Sequence, residues 1–165
     1  MQLAEQGHPN AQYQLGKYYM GLGNANMRRD LPRAAKWLKQ AAEQGQVDAQ
    51  YSLGVLYQQG EGVIQDFEEA SNWIRKAAEK GMTDAMYMLG IIYYTGRGVA
   101  TDNIQAYVWL NVAAAQGKEE AIRKRNKVME LLSDAEIIEA QRRSRIWKPL
   151  VAKDALPEEA QEEQH

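Results

Sequence analysis

The side chains able to do acid–base, nucleophilic or metal chemistry are few and scattered. The chain holds two histidines, His8 and His165, near its opposite ends. A catalytic imidazole or a histidine metal centre would need a chain path that brings those ends together. There are no cysteines, which excludes disulfides, thiol catalysis and cysteine-ligated zinc. Glu43 and Glu79 recur 36 residues apart and are the candidates for carboxylate chemistry. Each stands near a predicted helix end, where a solvated carboxylate is ordinary. GEGV at 60–63 and GRGV at 96–99 have the glycine content of a phosphate-cradling loop. Such a loop needs a preceding strand, a helix N-terminus aimed at the phosphate and a Lys-Ser/Thr pair, and all three are missing. The reading is therefore not an enzyme, with no catalytic, cofactor-binding or metal residues and no cofactor.

The elements that carry these residues are periodic. DLPRAAKWLKQAAEQG at 30–45 returns as DFEEASNWIRKAAEKG at 66–81 and as DNIQAYVWLNVAAAQG at 102–117. Trp37, Trp73 and Trp109 are 36 residues apart, as are Gly45, Gly81 and Gly117. A fixed period of this size marks a repeat array. Ala70, Trp73, Ala77 and Ala78 share one helical face. Asp66 is placed to cap that helix, with Glu69 three residues on in a capping-box-like pair, and Gly81 is placed to end it. The tryptophans read as core filling between closely packed alanine faces.

Each such helix is preceded by another: AQYQLGKYY at 11–19, AQYSLGVLY at 49–57 and AMYMLGIIY at 85–93. Ala49, Leu53 and Tyr57, at steps of four, make a stripe. Gly16, Gly54 and Gly90 sit beside it. A glycine inside a helix costs about 0.5–1 kcal/mol relative to alanine, so its recurrence predicts a close helix approach that a Cβ would block.

The chain then divides into 1–9, the tail of a truncated repeat; 10–46, 47–82 and 83–118, three full units; 119–148, a degenerate repeat serving as a C-terminal helical cap; and 149–165, a flexible acidic tail. The first unit carries an insertion, NANMRRD at 24–30, with Arg28 and Arg29 at its tip. Insertions of this kind map to loops on one face of a solenoid and serve either as solvated loop or as partner contact. In the third unit Tyr107, Val108 and Val112 replace Ser71, Asn72 and Lys76, so its second helix must be covered on more than one side. In the cap, Arg125-Asn126 stands where Leu89-Gly90 stands one period earlier, and Ser133–Glu136 opens a last helix with a capping box. Residues 118–148 carry nine basic and six acidic side chains, and 149–165 one lysine against five acids. The tail is expected to be able to lie back on the basic cap.

These residues resemble the Sel-one-like repeat (SLR), a subclass of the tetratricopeptide-like helical repeats. In the second unit the pattern is carried by Ala49, Tyr51, Leu53, Gly54, Tyr57, Gly60, Gly62, Val63, Asp66, Ala70, Trp73, Ala77, Ala78 and Gly81. The match covers roughly 10–121, and the first unit departs from it by lacking a clean G-x-G-V. The resemblance implies an all-α fold, a right-handed α-solenoid (superhelix) of antiparallel, TPR-like helix pairs whose opening helices line a concave face. It also implies an adaptor without a shared catalytic site.

Positions on the opening helices outside the Ala–Leu–Gly–Tyr stripe are then expected in the groove: Gln12, Gln14 and Lys17; Gln50, Ser52, Val55 and Gln58; Met86, Met88, Ile91 and Tyr94. This face grades from polar to apolar, and methionine with aromatic side chains suits an adaptable peptide or helix site. The competing expectation is that the third-unit residues pack against the fourth opening helix. The function read here is a non-enzymatic protein–protein interaction scaffold, or adaptor, for a peptide or helix of a partner protein. The alternatives are a regulatory or inhibitor domain of an enzyme complex, or a hydrolase using carboxylates. Net charge is −2, so no general attraction to nucleic acid is expected. No run of about 18 apolar residues is present, so no membrane insertion is expected. The compartment is left open between cytoplasm and periplasm for a soluble chain whose N-terminus is read as truncated.

Overall fold

The computed structural model describes residues 1–22 and 29–149, all of whose regular structure is α-helical. A short helix α1 (Gln2–Glu5) leads into α2 (Pro9–Tyr19) and α3 (Leu31–Glu43). Then come α4 (Val47–Gln59) with α5 (Phe67–Glu79) and α6 (Thr83–Thr95) with α7 (Asn103–Ala115), followed by α8 (Glu119–Met129) and α9 (Asp134–Ile146), which both pack on α7. Each second helix touches two opening helices: α3 packs on α2 and α4, α5 on α4 and α6, and α7 on α6 and α8. The result is a solenoid of antiparallel helix pairs.

The repeated residues explain the repeated geometry. Asp30, Asp66 and Asp102 cap α3, α5 and α7, each accepting a backbone N–H of the first turn. Their own N–H groups donate to the carbonyls of Tyr19, Tyr57 and Tyr93, at 2.9, 3.0 and 3.0 Å. That bond closes each pair. It forms in the first unit too, so the insertion leaves the closure intact; positions 24–28 of the insertion lie outside the described residues. Gly45, Gly81 and Gly117 take φ of 87°, 96° and 89°, where side chains are disfavoured, and turn the chain into the next opening helix.

Packing is dominated by small residues. Ala34, Ala41, Ala77, Ala113 and their neighbours are buried, with Leu38, Ile74 and Leu110 at the seams. Trp73 and Trp109 are buried, while Trp37 is half-buried. The apolar α7 is covered by α6, α8 and α9, which bury Tyr107, Val108 and Val112. Trp147, just past α9, meets Trp109 edge-on with centroids 5.8 Å apart. The complete capping box forms at Ser133–Glu136. The acidic segment 150–165 lies outside the described residues.

Candidate protein-binding face

Because α4 and α6 are each flanked by two second helices, their buried arcs are wide. In α4 the arc takes in Ala49, Gln50, Leu53, Gly54 and Leu56. In α6 it takes in Ala85, Met86, Leu89, Gly90 and Ile92. Gln50 and Met86, expected in the groove, are therefore not open to a partner: they are 4% and 0% exposed. Gln12 is buried as well. These glutamines join successive pairs. Gln12 Nε2 donates to the Ala4 carbonyl at 3.2 Å, and Gln50 Nε2 to the Ala42 carbonyl at 3.1 Å. Their recurrence at one position of the repeat was the available signal for this role.

The remaining groove residues keep solvent-accessible surface. Gln14 is exposed, and Lys17 is half-buried with its Nζ 5.4 Å from the Tyr13 ring centroid. Ser52, Val55 and Gln58 on α4 are half-buried. Met88, Ile91 and Tyr94 on α6 are half-buried too, resting on the core of the third and fourth units. Lys124 Nζ of α8 lies 5.4 Å from the Tyr94 centroid, and Nζ of Lys118, the N-cap of α8, lies 5.6 Å from that of Tyr87. The fourth opening helix thus borders the apolar end of the face.

A row of tyrosines runs along the same helices and escaped the assignment from pattern alone. The Tyr13 hydroxyl is pushed above the usual tyrosine range, first by burial and then by the Asp48 charge, with Ser52 opposing. Tyr51 is raised by burial and by Asp84, against the pull of Lys118. Each tyrosine thus feels the aspartate of the next opening helix. The face combines aromatic rings, half-buried aliphatic side chains and a polar first unit. That mixture suits a peptide or helix with alternating apolar and polar groups.

The recurring carboxylates fall elsewhere. Glu43 and Glu79 line a cleft of ≈ 480 Å³ with Trp73, Lys76 and Lys80. Lys76 Nζ covers the Trp73 ring at 3.9 Å, and Lys80 Nζ donates to the Gly45 carbonyl at 2.7 Å. The lining mixes two lysines with the two glutamates and has neither histidine nor hydroxyl. Among the described residues no cluster of three or more metal-ligating side chains occurs. No described helix is long and apolar enough to cross a membrane.

The helix-pair geometry has its counterpart in known proteins. A family model described as Sel1 repeat matches residues 9–46, 47–82 and 83–118. The chain belongs to the Sel1 repeat family. Sel1 repeat proteins are in general protein-interaction scaffolds. One similar structure is c5321, a protective antigen present in uropathogenic Escherichia coli strains displaying an SLR fold. It is 36% identical with a TM-score of 0.78, over 87% of this chain and 30% of that one. This Sel1 chain thus spans less than a third of c5321. A Sel1 repeat protein from Oxalobacter formigenes is 37% identical with a TM-score of 0.67, over 75% of this chain and 92% of that one. Helicobacter pylori cysteine rich protein B is 22% identical with a TM-score of 0.56, over 69% and 94% of the two chains, a likeness of fold. Curated proteins give no significant match. The fold is the right-handed, tetratricopeptide-like solenoid of the SLR proteins.

Proposed function

We propose that this Sel1 repeat chain is a non-enzymatic adaptor that seats a peptide or helix of a partner protein on the concave face lined by α2, α4 and α6. The observation that supports the reading most is the state of Val55, Met88 and Ile91. They are apolar and only half-buried on α4 and α6, with Met88 and Ile91 at the border of the core. Gln14, Lys17, Ser52, Gln58 and Tyr94 extend the same surface and supply hydrogen-bonding groups. A partner covering the aliphatic side chains gains about 25 cal/mol per Å² of apolar surface removed from water. The partner is a protein and not a nucleic acid, since the chain carries net charge −2.

The test is substitution of Val55 and Met88 to lysine in the full chain, with partner affinity and helical circular dichroism measured together. The adaptor reading predicts at least about tenfold weaker capture by each variant, the scale of one lost apolar anchor, with the helical signal retained. Undiminished capture by two folded variants contradicts it.

A further inference from the structure

Where the fourth unit departs from the repeat, the structure holds a second feature, on helices other than those of the groove. In α4 and α6 the leucine and glycine of the opening helix are buried, and a Cβ on Gly90 would stand 2.6 Å from Leu110 Cγ. In α8 the same two positions are Arg125 and Asn126. The apolar seam is replaced by an open cleft of ≈ 460 Å³ between α7, α8 and α9. Its polar lining is Asn111, Arg125, Asn126, Gln141 and Arg145, with Tyr107 and Met129 as apolar wall and no acidic residue.

The guanidinium of Arg125 is held in place by neutral groups. Its Nη1 donates to Asn111 Oδ1 at 2.9 Å. Asn111 is itself oriented by donating from Nδ2 to Ser144 Oγ at 2.8 Å, and Ser144 donates to the Gln141 carbonyl at 3.0 Å. Arg125 Nε and Nη2 both point at one oxygen, Asn126 Oδ1, at 3.3 and 3.1 Å. That edge of a guanidinium is the one that takes a carboxylate through two parallel hydrogen bonds. Glu139 takes both Arg142 and Arg143, whereas neither Arg125 nor Arg145 is within ion-pair distance of a described carboxylate. Among the described residues the cleft therefore offers two uncompensated positive charges, one of them pre-oriented.

We propose that this cleft binds a carboxylate side chain of an acidic peptide segment, which displaces the Asn126 amide from the Nε–Nη2 edge of Arg125 while Arg145 supplies the second charge. The apolar wall of Met129 and Tyr107 accommodates the methylenes of a glutamate, which inorganic phosphate lacks. The carboxylate has two possible sources. One is a partner protein. The other is the chain's own 150–165 segment, which contains Asp154, Glu158, Glu159, Glu162 and Glu163.

The test uses the full chain and titrates acetyl-tetraglutamate amide, acetyl-tetraglutamine amide, inorganic phosphate and a short single-stranded oligonucleotide. Affinities are read by calorimetry and the Arg125 and Arg145 Nε–H signals by NMR. Tetraglutamate is expected to bind and to shift both signals, with the other three probes weaker. Arg125→Leu with Asn126→Gly places the residues of the regular units at these positions, and its melt is recorded beside its affinity so that binding is read apart from folding. That variant and Arg145→Gln are expected to melt as cooperatively as the parent and to lose at least about tenfold in affinity. Changing the five acids of 150–165 to amides separates the sources: tightened tetraglutamate binding assigns the resident carboxylate to the tail, unchanged binding to a partner. Equal binding of tetraglutamine, tighter binding of phosphate or oligonucleotide, or undiminished binding by the folded Arg125→Leu/Asn126→Gly variant overturns the proposal.

Discussion

Gly54 of α4 lies against Ile74 of α5: a Cβ at Gly54 would stand 2.6 Å from Ile74 Cγ1 and 3.1 Å from the Ala70 carbonyl oxygen. The backbone oxygen is fixed by its helix, so the clash cannot be relieved by moving a side chain alone. Gly54→Ala gains helix propensity of about 1 kcal/mol and loses about 1–3 kcal/mol to overpacking. We predict a net loss of stability, and a smaller one for Gly16→Ala. At Gly16 the nearest backbone atom stands at 3.5 Å and the close neighbours are Leu38 side-chain carbons. Urea denaturation of both variants checks the order.

The two buried glutamines are predicted to differ. Gln12 Oε1 accepts from Gln44 Nε2 at 2.7 Å, whereas Gln50 Oε1 is buried with no partner. Gln50→Met places at that position the residue Met86 supplies one unit later. The Ala42 carbonyl keeps the Gly45 N–H at 2.9 Å. Gln50→Met is therefore expected to be neutral or stabilising. Gln12→Met breaks a paired bond and is expected to cost about 1 kcal/mol. Thermal melts of the pair decide it, and the opposite order would contradict the assignment of these residues to the unit-to-unit contact.

The period of the array was legible because it is written in alanine, glycine and tryptophan, whose places are set by helix-to-helix distance. The caps and turn glycines were legible for the same local reason. The width of the buried arc was not. A single stripe through Ala49, Leu53 and Tyr57 describes a helix packed on one side, but α4 is gripped by both α3 and α5, so its neighbour Gln50 is buried too. A polar side chain whose amide donates to a carbonyl eight residues earlier leaves no hydrophobic signature. The cleft beside Arg125 escaped for a different reason: the Leu-Gly to Arg-Asn change reads in sequence only as decay of the repeat.

Glu139 is half-buried, and hydrogen bonds from Arg142 and Arg143 hold its carboxyl down to about 2. Its value in the folded chain lies below the ordinary 4.5, so the contribution to α9 is full above that value and fades as pH falls toward 2. An NMR pH titration should show Glu139 protonating near the lower figure in the native chain. Replacing Arg142 and Arg143 by glutamine should move it back toward the ordinary range. A native midpoint near 4.5 would contradict the pairing.

Trp147 closes the C-terminal end of the core against Trp109. Trp147→Ala should lower stability by about 2 kcal/mol, below the cost of a fully buried tryptophan because Trp147 is half-buried. It should also expose Trp109 to water. A red shift of the tryptophan emission with unchanged helical content is the expected readout, and an unshifted spectrum would show that the cap does not depend on this contact.

The adaptor reading is tested most directly by placing a photo-reactive amino acid at Ser52 or Gln58 on α4, and at Lys36 on α3 or Glu68 on α5, in cells that produce the protein. The account predicts that Ser52 and Gln58 cross-link to adjoining residues of the same partner protein, while the exposed Lys36 and Glu68 positions give no such product. Cross-links to that partner from Lys36 or Glu68, with none from the α4 positions, would place the interaction on the opposite face and contradict it.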